Sequence, residues 1–301
     1  MKRFLVLLFV ILLLAGCAEY QPAVSVVASE TEQPAPKPVT AEPDMIAVSA
    51  ETPVPQTQPP LPTMPPTPSP EPTPDPTPTP EPTPTPEPTK DPNRPMVALT
   101  FDDGPNMTIT VPVLEKLEQY HVKATFYVLA SAINDKNGYM LQMMVDGGHE
   151  IGVHGFNHDK MTQFSSRRNA ERLQKTCDEI SGWIEGGYQP RTMRPPGGRT
   201  NSHVKSGAKK AGLAVIKWSV DTYDWKTQNV KKIMEVIKKQ TKNGSIILCH
   251  DHHKPTLDAL DEMIPWLLEQ GYDLVTVSEL LESTGTPLEP GKVYFCKEIN
   301  D

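Results

Sequence analysis

The sequence predicts an α/β protein whose folded part is a closed or nearly closed barrel of parallel strands. From Pro95 onward, short apolar runs alternate with longer periodic or charged stretches, as strands and helices do in repeated βα units. Glycine follows most of the longer stretches, and glycine is typical of helix ends. Seven candidate strands in about 190 residues favour a barrel over an open sheet.

The candidate strands are the short apolar runs, at residues 96–101, 124–129, 150–154, 192–194, 214–220, 245–249 and 273–277. The candidate helices are the stretches between them, at residues 111–120, 139–145, 167–184, 201–211, 230–239 and 255–269. One domain, residues 95–284, therefore holds the fold and is long enough to bury a sizeable core. Residues 285–301 are assigned to a C-terminal tail.

The first seventeen residues are predicted to be a lipoprotein signal peptide. Lys2 and Arg3 precede an apolar run, residues 4–15, which is too short to span a bilayer but typical of a signal peptide. The tetrapeptide that ends in Cys17 resembles a bacterial lipobox, so Cys17 is the expected lipidation site. An ordinary signal peptide with an incidental cysteine is the alternative. Under the lipobox interpretation, the protein is anchored by lipid to the extracellular face of the bacterial cell membrane.

Residues 18–94 are predicted to be a disordered linker rich in proline, threonine and glutamate. Of the 34 prolines, 24 lie between Pro34 and Pro95. Proline fixes φ and removes a backbone donor, so these repeats favour extended polyproline II over helix or sheet. At ~3.1 Å per residue the repeats would reach on the order of 100 Å. The linker is interpreted as a spacer from the membrane, and a tail without positional role is the alternative.

The charge balance excludes nucleic acid as a partner. The linker holds 11 acids against 3 bases, whereas the rest after residue 94 is nearly neutral, with 26 acids and 24 bases. A nucleic-acid surface needs a basic stripe, which this composition does not supply.

The cysteines beyond Cys17 are Cys177, Cys249 and Cys296, without metal-ligand spacing, and one disulfide among them can be neither assigned nor excluded. We expect a monomer.

Polar side chains fall at the ends of the predicted strands. In a parallel barrel these ends share the face where active sites form, so the side chains should converge on one mouth. Taken singly, each motif also fits an ordinary turn, surface or core residue. The converging residues are Asp102, Asp103, His154, Arg194, Asp221, Asp224 and His250.

Two histidines and a carboxylate indicate a catalytic metal site. His154 and His158 are spaced i and i+4, which places both rings on one side if the segment makes a helical turn. With Asp103 they leave coordination positions open for water and substrate, as catalytic zinc sites do. Because Asp102 and Asp103 occupy a turn, one carboxylate can bind the metal while its neighbour faces the substrate.

The remaining motifs suggest acid–base and substrate roles. Arg194 is expected to hold a carboxylate through two parallel hydrogen bonds, and flexible glycine after it lets backbone N–H groups approach an oxyanion. An aspartate beside His250 would raise the pKa of the imidazole and make it a general acid. His252 and His253 are expected to be exposed loop residues. The three tryptophans inside predicted elements are expected in the core: Trp183, Trp218 and Trp266.

In order along the chain, the motifs TFDDGP, HxxxH, RPPG, DxxDW and LxH resemble those of the NodB-homology polysaccharide deacetylases, carbohydrate esterase family 4. The resemblance covers roughly residues 95–281. It implies a distorted (β/α)7 barrel that binds one divalent ion, Zn²⁺ or alternatively Co²⁺ or Ni²⁺.

The resemblance also implies the residue roles. Asp103, His154 and His158 would be the metal ligands. Asp102, oriented by Arg194, would be the base that takes a proton from the attacking water, and His250, tuned by Asp224, would protonate the leaving amine. The backbone near Gly197 would stabilise the oxyanion, and Trp225 and Leu248 would line the sugar and acetyl pocket.

Two positions depart from the family pattern. Gly155 replaces the usual serine or threonine after the first histidine, and Gly197 stands where many members carry an aromatic residue. The expected activity is removal of N-acetyl groups from N-acetylglucosamine polysaccharide of the cell wall, with peptidoglycan as the nearest substrate. Chitin oligomers, an exopolysaccharide, an O-acetyl ester or cyclic amide, and a non-catalytic wall-binding module are the alternatives.

Overall fold

The computed structural model describes residues 94–296. The predicted signal peptide, Cys17 and residues 18–93 lie outside the described residues, so the predictions for them stay predictions. Within residues 94–296, no helix is long and apolar enough to cross a membrane.

Nine strands and eight α-helices make up this part of the chain. The strands are β1 Met96–Asp102, β2 Thr125–Leu129, β3 Glu150–Gly155, β4 Thr192–Met193, β5 Ala214–Ile216, β6 Val220–Asp221, β7 Ile246–His250, β8 Asp273–Leu274 and β9 Val293–Tyr294. The helices are α1 Thr110–Gln119, α2 Tyr139–Asp146, α3 Ser166–Gly182, α4 Ser202–Lys210, α5 Asp224–Thr227, α6 Val230–Gln240, α7 Lys254–Glu269 and α8 Val277–Glu282.

The predicted parallel α/β barrel is confirmed. All named strand pairs are parallel, in the order β6-β7-β1-β2-β3-β4-β5-β9, and β8 pairs with the start of β1. The two halves of the candidate strand 214–220 have different neighbours, because β5 pairs with β4 whereas β6 pairs with β7. The three residues between β5 and β6 therefore carry the chain from the second-last strand of the sheet to the strand at its other end.

Strand β1 shows how the sequence produces the two sides of the barrel wall. Val97, Leu99 and Phe101 belong to the large apolar cluster that also contains the helix side chains. Ala98 belongs to a second cluster with residues from other strands. Because side chains alternate along a strand, Thr100 and Asp102 share the face of Ala98. The interior face of β1 thus begins apolar and ends at a carboxylate.

Two short α-helices and one short strand were not predicted. Helix α5 begins at Asp224, α8 follows β8 at once because Thr276 forms a capping box with Glu279, and β9 lies in the segment assigned to the C-terminal tail. Strand β9 pairs with β5, so the sheet extends into that segment. The three tryptophans expected in the core are partly buried and pack against the apolar clusters.

Candidate metal centre and active site

The two adjacent aspartates at the end of β1 face different neighbours. Asp102 is the last residue of the strand and its side chain is buried, whereas Asp103 follows with φ of 77°. A positive φ is uncommon outside glycine, although aspartate tolerates it better than most residues. This change of direction separates the two carboxylates, as the sequence suggested.

Asp103 meets both histidines of the HxxxH motif. Its Oδ1 lies 3.3 Å from His154 Nε2 and 3.9 Å from His158 Nε2, and the two ring centroids are 5.5 Å apart. The segment does not form the helical turn that would place both rings on one side, because His154 lies in β3 and the chain then bends at Gly155, whose φ is 111°. A glycine at this position makes the bend possible without the strain that a side chain would add.

These three residues fit a divalent cation. Their ligand atoms all lie within 4.8 Å of one another, and Asp103 Oδ1 is buried without a hydrogen-bond partner. Burial acts to raise the pKa of Asp103, but His154 and the neighbouring histidines outweigh it and hold the pKa well below its usual value. His154 Nδ1 lies 2.8 Å from the Arg194 carbonyl oxygen. Since a carbonyl only accepts, this bond assigns the proton to Nδ1 and leaves Nε2 free to bind a metal.

Asp102 is held by a buried arginine. Arg194 Nη1 donates to Asp102 Oδ1 at 2.7 Å and to Thr100 Oγ1 at 2.7 Å, and Nη2 donates to the Lys217 carbonyl at 3.1 Å. The guanidinium also lies 4.2 Å from the centre of the Tyr127 ring. The expected two-bond fork is wrong, because only Nη1 donates to Asp102, Nη2 donates to Lys217, and Nε is buried without a hydrogen-bond partner. Tyr127 lies outside the motifs, and Thr100 opens the TFDDGP motif but was assigned no role, so neither contact was predicted from the sequence.

Asp224 organises the histidine on β7. Its Oδ1 accepts from His250 Nδ1 at 2.8 Å, and its Oδ2 accepts from the His250 amide at 2.8 Å and from Thr256 Oγ1 at 2.6 Å. Burial by itself lowers the pKa of His250, but the hydrogen bond and charge of Asp224 raise it to about 9. His250 is therefore protonated at neutral pH, as a general acid requires. Thr256 was not singled out, since it lies inside a helix pattern.

The predicted substrate residues lie near these groups in sequence but differ in exposure. Trp225 follows Asp224 and is half exposed, whereas Leu248 lies in β7 and is buried. Gly197 has φ of 63° in a single helical turn, and a Cβ added to it would meet no atom within 4 Å. The absence of a side chain at Gly197 thus leaves open space at this position.

The two residues after His250 differ from the prediction: Asp251 was not singled out, and His252 was expected to be exposed. Asp251 is fully buried and accepts from Thr110 Oγ1 at 2.5 Å, and its carboxylate would lie 2.3 Å from a Cβ added to Gly104. Glycine is therefore required beside Asp103. The expectation that His252 is exposed is wrong, because its side chain is 31% exposed and its buried Nδ1 lies 4.0 Å from Asp103 Oδ2.

Two cysteines, Cys177 and Cys249, take no part in this site. Cys177 and Cys249 are both free and buried. Burial raises the pKa of the Cys177 thiol to about 11 and that of Cys249 well above its usual value. Neither thiol is therefore an active nucleophile at neutral pH, which agrees with the expectation for Cys249.

Comparison with known proteins agrees with the geometry. The profile of the polysaccharide deacetylase family matches residues 89–216, and that of divergent polysaccharide deacetylases matches residues 198–281. The chain is 39% identical over 201 residues to peptidoglycan-N-acetylglucosamine deacetylase PgdA of Listeria monocytogenes, which covers 67% of this chain and 41% of that protein. The chain thus spans less than half the length of this relative.

Two further relatives are matched over most of their length. A peptidoglycan-N-acetylglucosamine deacetylase of Bacillus cereus is 38% identical over 200 residues, covering 63% of this chain and 89% of the relative. The structure of a family 4 acetyl xylan esterase from Clostridium thermocellum, in complex with a cobalt ion, superposes with a TM-score of 0.63 at 33% identity, covering 68% of this chain and all of that one. The chain therefore belongs to the polysaccharide deacetylase family.

Proposed function

We propose that this chain removes N-acetyl groups from N-acetylglucosamine residues of peptidoglycan with the help of one divalent metal ion. The observation that carries the proposal is that the two adjacent aspartates at the end of β1 have different neighbours. Asp103 faces two imidazoles, whereas Asp102 is held by Arg194. His250 lies beside Asp102 in the register of β1 and β7. The base and the acid thus lie on two adjacent strands, and the ligand set joins the end of β1 to the end of β3 and its loop.

Asp103, His154 and His158 would hold the metal, which we assign as Zn²⁺, with Co²⁺ or Ni²⁺ as substitutes. When bound, the metal would act as a Lewis acid toward the amide carbonyl and would lower the pKa of a water molecule. The mixed carboxylate and imidazole donors suit ions of this class.

Asp102 would act as the general base. Arg194 occupies its Oδ1, and its Oδ2 lies 3.8 Å from His154 Nε2, on the side of the histidines. That oxygen would take a proton from the water that attacks the acetyl carbonyl. Arg194 balances the charge of Asp102 in a buried setting and fixes its orientation, which is the role that the resemblance gave it.

His250 would act as the general acid. An amine leaves the tetrahedral intermediate only when its nitrogen is protonated, and His250 carries that proton at neutral pH because Asp224 raises its pKa. Asp224 also holds Nδ1, which leaves Nε2 as the donor. The backbone near Gly197 would stabilise the oxyanion, while Trp225 and Leu248 would line the sugar and acetyl pocket.

The remainder of the chain would hold the enzyme at its substrate. Cys17 would carry the lipid that anchors the mature protein to the outer face of the cell membrane, and residues 18–94 would extend the catalytic domain toward the wall. Both named relatives described as peptidoglycan deacetylases support this substrate. We propose that the protein acts as a monomer and has no nucleic-acid partner.

The test is acetate release by the purified full chain from peptidoglycan and from N-acetylglucosamine oligomers, with and without chelator. Mass spectrometry should show replacement of acetyl by hydrogen on N-acetylglucosamine, and chelator should abolish the change. If metal-loaded protein binds the glycan yet releases no acetate, the chain is a wall-binding module. Release from acetyl xylan alone would instead identify an ester hydrolase.

A further inference from the structure

The two histidines of the proposed metal site are fixed to different degrees. His154 is buried and its Nδ1 is bonded to the Arg194 carbonyl. His158 has a side chain that is 56% exposed, and within residues 94–296 its ring makes no hydrogen bond. Both lie in the segment 154–159, which we call the histidine loop. The position of His158 must therefore be set by its neighbours in that loop.

Both sequence neighbours of His158 bind the same guanidinium group. Arg172 Nη2, from helix α3, donates to Asn157 Oδ1 at 2.5 Å and to Asp159 Oδ2 at 2.6 Å. The Asp159 amide in turn donates to the Asn157 carbonyl at 2.8 Å. Arg172 thus closes a small ring of hydrogen bonds around the residue that presents the imidazole.

The same guanidinium packs on two phenylalanine rings, one in the histidine loop and one shortly after it. It lies 5.4 Å from the centre of the Phe156 ring and 5.2 Å from that of Phe164. Its side chain is only 26% exposed, so these contacts are partly shielded from water. Charge-assisted hydrogen bonds are stronger than neutral ones, and an arginine fork loses little freedom for each bond it forms.

The loop needs such support because of how it bends. Gly155 has φ of 111° and contributes no side chain that could brace the turn. Glycine gives the backbone more accessible conformations than any other residue. Among the described residues, the only backbone support that the histidine loop receives at Phe156 is the hydrogen bond from the Ser131 amide to the Phe156 carbonyl, at 2.7 Å. Without Arg172, the residues after Phe156 would therefore sample positions in which His158 is too far from Asp103 to bind the same metal ion.

We propose that Arg172 is a positioning residue that fixes His158 for metal binding. The proposal rests on the ligand set given under the proposed function. Arg172 does not touch the ligand atoms itself and acts through Asn157 and Asp159. Residues that orient metal ligands from behind typically change metal affinity about 10- to 100-fold when they are removed.

The test measures Co²⁺ binding to the full chain by titration calorimetry and by the visible absorption of the bound ion. Arg172→Ala should weaken Co²⁺ binding about 10- to 100-fold and alter the absorption spectrum. Arg168→Ala is the matched control. Arg168 lies one turn earlier on α3 and also stacks on Phe164, at 4.6 Å, but its side chain donates no hydrogen bond to the histidine loop. It should leave the affinity within about twofold.

A double-mutant cycle separates positioning from general stability. If Arg172 acts through His158, Arg172→Ala should have no further effect on Co²⁺ affinity in a His158→Ala background. Equal effects in both backgrounds, or no effect in the first, would overturn the proposal. If His158→Ala alone leaves Co²⁺ affinity unchanged, the ligand set of the proposed function fails, and the positioning role fails with it.

A loop-side variant covers the case in which Arg172→Ala does not fold. Changing Asn157 and Asp159 together to alanine removes both acceptors from a surface loop and leaves α3 intact. This double variant should reproduce the loss of Co²⁺ affinity with His158 present. Unchanged affinity in a folded double variant would refute the role of Arg172.

Discussion

Arg194 lies fully buried next to Asp102 and donates one hydrogen bond of 2.7 Å from Nη1 to Asp102 Oδ1. The two residues are 92 positions apart, and each belongs to a different strand end. A buried ion pair of this kind has little tolerance for the loss of one partner, because the other charge is then left without compensation in a poorly solvated place.

Replacing Arg194 by methionine should therefore lower both stability and activity. The free energy of unfolding is expected to fall by about 3 to 5 kcal/mol, since Asp102 would stay buried without its partner. Urea denaturation measures this loss. Arg191→Met is the control, because Arg191 forms a half-exposed pair with Glu282 and should cost about 1 kcal/mol or less. Equal losses for the two variants would contradict the structural role of the buried pair.

Substitution of Asp102 and of Asp103 should affect different quantities, the rate of acetate release in the first case and the Zn²⁺ affinity in the second. Asp102→Asn is expected to slow acetate release about 10²- to 10⁴-fold, because the base is lost, while Zn²⁺ affinity stays unchanged. Asp103→Asn should instead weaken Zn²⁺ binding strongly, because it replaces a charged ligand atom. Titration calorimetry beside an acetate assay measures both quantities. Loss of Zn²⁺ affinity in Asp102→Asn would show that the roles are shared or exchanged.

The pH dependence of kcat/KM should reflect the protonation of His250. Because Asp224 raises the pKa of His250 to about 9, the acid form persists at neutral pH and kcat/KM should fall as the pH rises through about 9. In Asp224→Asn, the alkaline limb should move toward the ordinary histidine value of 6.5. An alkaline limb that does not move in this variant would argue against His250 as the acid.

The same pair should make stability depend on pH. The pKa of His250 is higher in the folded state than the ordinary 6.5, so its contribution is fully present below pH 6.5 and lost as the pH rises through about 9. Thermal unfolding of the wild type should show this loss, and His250→Gln should remove that part of the pH dependence.

Gly155 should be needed for its backbone conformation. Gly155→Ala places a side chain at φ of 111° and a Cβ 3.3 Å from the Asn157 carbonyl, which should cost about 1 to 3 kcal/mol and weaken Zn²⁺ binding. Gly186→Ala is the control, since Gly186 also has a positive φ, at 76°, but a Cβ there meets no atom within 4 Å. Gly186→Ala should lower stability without changing Zn²⁺ affinity. Unchanged Zn²⁺ affinity in Gly155→Ala would show that the bend is not required.

Local sequence patterns were sufficient for the order of elements. Alternating apolar runs predicted the strands of the barrel, and glycine marked several helix ends. The candidate strand 214–220 shows the limit of such patterns, because its residues keep strand character while their pairing partners change from β4 to β7. Pairing partners are set by distant segments and leave no trace in local periodicity. Strand β9 has only two residues, which is too short for an alternating pattern, and its pairing with β5 is likewise not visible in the local sequence.

By itself, the sequence predicted which residues meet at the candidate site, since carboxylates, imidazoles and an arginine at the ends of parallel strands lie on one face of a barrel. Only the tertiary structure decided which of these residues contact one another. The positive φ of Asp103 turns it away from Asp102, and Arg194 reaches Asp102 across the barrel. Arg172 and Thr256 support the site from helices α3 and α7. They gave no signal in the sequence because their partners are between 13 and 32 positions away along the chain. Backbone conformation and long-range hydrogen bonds depend on the folded chain, which is why the motifs alone could not assign them.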